Sequence, residues 1–292
     1  MLGYTKQAYY KRKRQMEATF MNEELILELV RNKRKKWKKG SGRNLFAALK
    51  PDFEKHSIKI GRDKFFAVLR DNNLLKTRKK RTVRTTFSYH HFHKYPNIIR
   101  DKTPLKSGEV IVSDITYIWI KDIENFAYLF LITDLYSRKI IGYCLSDSLK
   151  AKSAVKSLKM AMKQIEREGC IHHSDRGIQY CCNDYTELLI KNKMLISMTE
   201  NGDPLENAVA ERVNRTIKEE FTDEKTLCFE SLQMGLKEIP SIIKFYNEER
   251  PHRSIDMLTP SQAFKMTGEL KKHWKNYYKT AEKEVLKEGE FL

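Results

Sequence analysis

The sequence predicts an α/β fold, a mixed sheet flanked by helices, with a basic helical region ahead of it. Three observations predict it. From residue 109 onward, runs rich in Ile, Val, Tyr and Phe alternate with amphipathic stretches in the order βββαβαβα. Before residue 109 the apolar residues recur at helical spacing. The charge is one-ended: residues 1–100 hold 27 Lys and Arg against 8 Asp and Glu, a net of +19, while the other 192 residues hold 29 against 30. At 292 residues and 40% hydrophobic composition the chain is long enough to bury a sizeable core in two or three domains.

Residues 5–18 suit a short basic helix. A second helix is expected over 22–36, where Leu25, Ile26, Leu29 and Val30 form one stripe and Asn22, Glu23 and Glu24 suit the positive end. A basic stop containing Gly40 and Gly42 follows. Two more helices are expected at 43–55, striped by Leu45, Leu49 and Phe53, and at 61–73, striped by Phe65, Phe66 and Leu69. The short link between them makes a helix-turn-helix-like pair, with 61–73 in the recognition position. Arg62 and Lys64 lie there, and the run Lys76–Arg84, with Arg78, Lys79, Lys80 and Arg81, follows. Residues 1–84 thus form a basic, helical, DNA-binding region. Residues 85–108 lack periodicity and suit a linker; His90, His91 and His93 there are either a polar stretch or metal donors.

Strands are expected at 110–120, 126–134 and 139–146, joined by short turns. A helix at 151–167, a strand at 170–174, a helix at 183–192 and a strand at 194–199 follow. Helices at 206–221 and 229–249 complete a core spanning 109–266, and 267–292 reads as a helical tail. This order is the ribonuclease-H-like arrangement.

A one-ended basic excess marks a polyanion binder, nucleic acid before an anionic membrane. Five cysteines without a C-x-x-C pair argue against structural zinc and a disulfide framework, and suit a reducing cytoplasm. The N-terminus lacks the apolar stretch of a signal peptide, and no apolar run reaches the length of a membrane span.

Three acidic residues sit in contexts that belong together. Asp114 interrupts an apolar strand, where a carboxylate is costly unless it is paired or metal-bound. Asp175 ends Ile-His-His-Ser-Asp175-Arg-Gly, at a turn that suits either a sheet-edge ligand or a helix cap. Glu211 lies on a helix whose expected buried stripe is Val209, Val213, Ile217 and Phe221. Opposite that stripe, Asn207, Glu211, Asn214, Arg215 and Lys218 share one face, one carboxylate among groups able to hold phosphate. Asp134, the rival carboxylate, reads as structural, bonded to the Ser137–Arg138 turn. Sixty residues separate Asp114 from Asp175, and thirty-five separate Asp175 from Glu211. Three carboxylates brought together by a fold can hold two divalent ions for phosphodiester chemistry.

These stretches, with Asp134-Leu-Tyr-Ser-Arg-Lys-Ile-Ile-Gly142, His173-Ser-Asp175-Arg-Gly-Ile-Gln-Tyr180 and Tyr246-Asn-Glu-Glu-Arg-Pro-His252, are specific. Together they resemble the OrfB-type transposases of the IS-three group of insertion sequences, whose core is similar to retroviral integrases. The resemblance spans about residues 40–266. Glu206-Asn207-Ala208 departs from the Asp-Asn-Ala of many members. The resemblance implies that Asp114, Asp175 and Glu211 are the catalytic metal ligands. It implies that Lys218, helped by Arg215 or Asn207, grips DNA, and that the cofactor is two Mg²⁺ ions, with Mn²⁺ able to substitute. The partners it implies are element ends and target DNA, other copies of the chain on DNA, and an upstream-frame product or fusion. The expected localisation is cytoplasmic, on the nucleoid. Two alternatives stand beside a strand-transferring enzyme: a ribonuclease-H-like nuclease without transfer, and a DNA-binding regulator with an inactive core.

Overall fold

The computed structural model describes residues 5–75, 92–100, 102–200, 206–222 and 228–271, without the side chains of 15–20. Arg78, Lys79, Lys80 and Arg81, His90 and His91, and the tail beyond residue 271 lie outside the described residues.

Three helices open the chain: α1 (Lys6–Lys36), α2 (Gly42–Lys55) and α3 (Arg62–Asp71). The two helices expected over 5–36 are one, 31 residues long. No Gly or Pro falls between Lys6 and Lys36, so nothing in the backbone stops it, and Asn22 is an interior residue rather than a cap. Its last turn carries Lys33, Arg34, Lys35 and Lys36, the charge its negative end favours. Trp37 then caps it, and the chain turns at Gly40, where a Cβ would stand 2.3 Å from the Trp37 ring. The expected stripes of α2 and α3 are buried in Leu45, Leu49, Phe53, Phe65 and Leu69.

The sheet follows with β1 (Val110–Ile120), β2 (Asn125–Asp134) and β3 (Ile140–Ser146), consecutive antiparallel neighbours. Helix α4 (Ala151–Ala161) crosses to β4 (Ile171–Ser174), parallel to β1. The short α5 (Ile178–Cys181) and α6 (Asn183–Lys191) lead to β5 (Leu195–Met198), parallel to β4. Then come α7 (Ala208–Glu220), α8 (Leu232–Glu248), a 3₁₀ turn at Arg253–Ile255 and α9 (Pro260–Ala263). The strand order β3-β2-β1-β4-β5 is the mixed ribonuclease-H-like sheet that the element order predicts. Helix α4 stops six residues before the expected 167, and the short α5 and α9 were not expected from periodicity, which needs longer windows than four residues.

The sheet is covered on both faces. Leu129 and Leu131 of β2 join one core with Ile118 and Ile120 of β1, while Phe130 and Ile132 join the other with α4, α5 and α6. Burial on both sides explains why β2 reads as an almost unbroken apolar run. The first core also holds Val213, Ile217 and Phe221 of α7 and its C-cap, Ile239, Ile243, Phe245 and Tyr246 of α8, and Ile26, Val30, Trp37, Leu45 and Phe65 from the N-terminal helices. The basic helical region is therefore packed onto the helices that cover the sheet. Buried polar contacts reinforce the seam. Trp37 Nε1 donates to Glu220 Oε2 at 2.6 Å, and Arg250 grips both oxygens of Glu220 at 2.9 and 2.8 Å.

The 92–108 segment is a strap rather than a loose connection. Met198 donates its N–H to the Pro96 carbonyl, and the N–H of Ile98 donates to Ser197 Oγ at 3.1 Å, so the strap runs along β5. Exposed His93 packs edge-on against Tyr95.

Candidate active site

Alternation along β1 places Asp114 on the same side as Ile118 and Ile120, the side that α7 covers. Only 8% of Asp114 is exposed. Its Oδ1 accepts from the N–H of Ile115 and its Oδ2 from Asn214 Nδ2, both at 2.8 Å. The parallel register pairs Ser113 with Ser174, so Asp114 and Asp175 each come one residue beyond the same rung of neighbouring strands. Adjacent strands run about 4.8 Å apart. Asp175 Oδ1 accepts from the N–H of Gly177 at 3.1 Å. A Cβ on Gly177 would stand 3.0 Å from that oxygen, so glycine lets the turn close. Both aspartates act on the same tyrosines. Burial raises the Tyr117 and Tyr180 hydroxyls first, and the nearby charges of Asp175 and Asp114 raise them further.

Glu211, half-buried, comes from α7. Two amides on its own face seat the helix. Asn207 Nδ2 donates to the Ser113 carbonyl at 3.0 Å, and Asn214 reaches Asp114, so Glu211 lies between two clamps on β1. This corrects the face expected to grip DNA. Asn207 and Asn214 are 6% and 4% exposed, and the Asn207 side chain donates to the backbone of β1. Arg215 is exposed and Lys218 half-buried. Of the expected stripe, Val213, Ile217 and Phe221 are buried, while Val209 is half-buried and Ala210 takes its place. Exposed Arg62 and Lys64 sit on α3, with Arg62 Nε 2.9 Å from Asp63.

Asp134 is structural. Fully buried, it accepts from the N–H of Gly108 at 2.8 Å and from both the N–H and the hydroxyl of Ser137. Burial pushes its carboxyl up, against those hydrogen bonds. Glu206, at the departure from Asp-Asn-Ala, accepts from the N–H of Glu200 at 2.7 Å and pairs with Arg100, tying the strap to the approach to α7.

Sequence reasoning missed the histidines beneath the aspartates. His172 Nε2 bonds Ser113 Oγ at 2.7 Å and Tyr185 Oη at 2.8 Å, and His173 Nδ1 bonds Ser197 Oγ at 2.9 Å. Burial pushes their pKa down to about 3 and about 4. The signal was two histidines inside a short strand expected to be buried.

As a metal site the donor chemistry fits. The oxygens are carboxylates, each able to accept beyond the one hydrogen bond named for it. The side chains are not gathered, however: among the described residues no three His, Cys, Asp or Glu stand as a group that could hold an ion. All five cysteines are free thiols. No helix among the described residues is long and apolar enough to cross a membrane.

Two integrase core domain models match the chain, over residues 104–204 and 192–260. The chain is 31% identical over 217 residues to the insertion element IS600 uncharacterized 31 kDa protein of Shigella sonnei, covering 73% of this chain and 78% of that one. It belongs to the IS-three group of insertion-sequence transposases. The transposase is also 27% identical to the IS904 transposase of Lactococcus lactis, across 73% of its own length and 90% of the relative's. Among solved structures, it aligns with the HTLV-2 integrase catalytic core domain in complex with magnesium at 15% identity and a TM-score of 0.43, covering 56% of this chain and 99% of that one. As a transposase it is a polynucleotidyl transferase, cleaving DNA strands and transferring them.

Proposed function

We propose that Asp114, Asp175 and Glu211 form the reacting centre and together hold two Mg²⁺ ions, with Mn²⁺ able to substitute. The seating of α7 on β1 carries this reading: Asn214, which bonds Asp114, lies less than one helical turn from Glu211, and Asp175 ends the strand next to β1. Ions held there would supply charge neutralisation at phosphorus and lower the pKa of a bound water or DNA 3′-hydroxyl. The chain's own groups do the rest. Asn214 holds Asp114 in place, Gly177 fixes the Asp175 turn, and the buried floor of His172, Tyr180 and Tyr185 keeps water from beneath the carboxylates. The shared β1–β4 register of Asp114 and Asp175, and the seating of α7 on β1 through Asn207 and Asn214, support gathering the three acids on metal binding.

DNA is the partner, as element ends and then as target, bound by several copies of the chain, with an upstream-frame product or fusion as a further partner. Arg215 and Lys218 continue the helix beyond Glu211 and would hold phosphates flanking the reacting one. Arg62, Lys64 and the run through Arg78, Lys79, Lys80 and Arg81 would add non-specific affinity. We place the catalytic core at 109–266, the DNA-binding region at 1–84, the linker at 85–108 and a tail at 267–292. The protein would work in the cytoplasm, on the nucleoid.

The test is strand cleavage and joining on labelled duplexes carrying the ends of the element. Asp114→Asn, Asp175→Asn and Glu211→Gln should each abolish both steps while largely keeping DNA binding. A variant that still joins removes its residue from the centre. Cleavage without joining by the parent chain would favour a nuclease, and neither reaction a regulator.

A further inference from the structure

The first turns of α1 have no place in the fold. Among the described side chains of this helix the first buried one is Ile26, about 30 Å along the axis from Lys6. From Lys6 to Arg14 every side chain but that of Ala8 is exposed, including Tyr9 at 61% and Tyr10 at 50%. A helix exposed on all sides is an arm, not a packed element.

The arm's sequence works against its own stability. Lys6, Lys11, Arg12, Lys13 and Arg14 are five cations with no acid among them, and the first turn holds no acidic residue. Lys6 stands in the first turn, at the positive end of the helix macrodipole, where a cation is disfavoured. Lys11 and Arg14 also repel at i,i+3. The Thr5 cap, accepting from the N–H of Ala8 at 3.2 Å, offsets part of this. A polyanion alongside the arm would offset these repulsions.

We propose that Lys6–Arg14 is a grip for the phosphate backbone of duplex DNA, independent of base sequence. At 100° per residue the five cations fall all round the helix rather than on one face. That distribution suits a helix lying in a groove about 12 Å wide, with phosphates along both rims. Lys6, Tyr10, Lys11 and Arg14 line one side together, and the tyrosine hydroxyl adds a phosphate donor between ammonium and guanidinium groups. An anionic membrane fits less well, because the arm has no broad apolar face to bury. A second copy of the arm would meet like charge. The proposal rests on the reading that the basic N-terminal third supplies DNA affinity, and assigns a share of it to an element other than α3.

The experiment uses the full chain with Lys6, Lys11, Arg12, Lys13 and Arg14 all changed to Gln, which keeps helix propensity. Affinity for a random-sequence duplex is measured from about 50 to 200 mM salt, beside an Arg62→Gln/Lys64→Gln chain. Each lost phosphate contact flattens the log–log slope by about 0.9. We expect the five-site variant to flatten it by roughly 2–4 and to bind at least about tenfold more weakly at low salt. Thermal unfolding should be unchanged, and only the parent chain should gain helical circular dichroism on adding DNA. Wild-type affinity and slope in the five-site variant would overturn the grip while leaving the DNA reading intact. A parent chain with a flat salt response would instead overturn that reading, and the grip with it.

Discussion

The two ends of α7 are built on opposite principles. At its C-terminal end Glu220 is buried against Arg250 and Trp37, with two hydrogen bonds from the guanidinium and one from the indole. At its N-terminal end Asn207 and Asn214 clamp β1 by single amide bonds, and Glu211 between them stays half-buried. One end is a rigid anchor shared with α1 and α8. The other leaves its carboxylate room to turn. A helix fixed far from the chemistry and lightly clamped near it can hold a side chain within reach of its partners without freezing its rotamer.

Breaking the anchor should give the largest effect. Arg250→Ala leaves Glu220 buried and unpaired, and should cost about 3–5 kcal/mol in urea unfolding. An Arg250→Met/Glu220→Leu chain should recover much of that loss. If the single and double changes cost the same, the ion pair is not what holds this end.

Acid should weaken both ends, and a variant can separate them. His172 and His173 lie beneath the aspartates, and His252, bonded to Arg250 at 2.9 Å, lies at the anchor. Burial lowers all three pKa values, His252 with added repulsion from Arg250, Arg138 and Arg212. Folded pKa values below the unfolded value mean that the unfolded chain binds protons first. Stability is therefore full above about pH 6.5 and falls as pH drops toward about 4 and about 3 for His173 and His172. Each histidine contributes up to about 1.4 kcal/mol per pH unit within that window. His252→Gln should reduce the slope of unfolding free energy against pH by one histidine's share, and an unchanged slope would place the sensitivity wholly beneath the aspartates.

Loosening the clamp should cost less stability and more chemistry. Asn214→Ala removes one hydrogen bond to a carboxylate, about 1.5–3 kcal/mol at most. Joining should fall by more than the loss of folded protein explains, measured well below the unfolding midpoint. A joining rate that tracks stability alone would make Asn214 only a packing residue. The smallest effect belongs to the rim of the anchor. Lys33 pairs with half-exposed Glu249 at 2.9 Å, and Lys33→Ala should cost under about 1 kcal/mol. A larger loss would extend the rigid anchor out to the surface.

Much of this molecule was legible in its sequence. Runs rich in Ile, Val, Tyr and Phe marked β1, β2 and β3 within a residue or so of their observed ends, because branched and aromatic side chains suit a buried, pleated surface. The stripes of α2 and α3 and the turn that satisfies Asp134 are likewise local, settled within a few residues. The order of elements implied the sheet, and the contexts of Asp114, Asp175 and Glu211 marked the three acids.

Other features depended on distant parts of the chain. The face of α7 looked polar and so exposed, yet Asn207 and Asn214 are buried because β1, about a hundred residues earlier, offers them a carbonyl and a carboxylate. Glu220 is buried because Trp37 and Arg250, just beyond the ends of α1 and α8, close on it. The sequence by itself determined most of the longer elements of the sheet and its helices and which side of most of them is apolar, since those follow from backbone geometry and water. Only the tertiary structure decided which polar groups go inside, since a buried donor or carboxylate is tolerated only where a partner meets it.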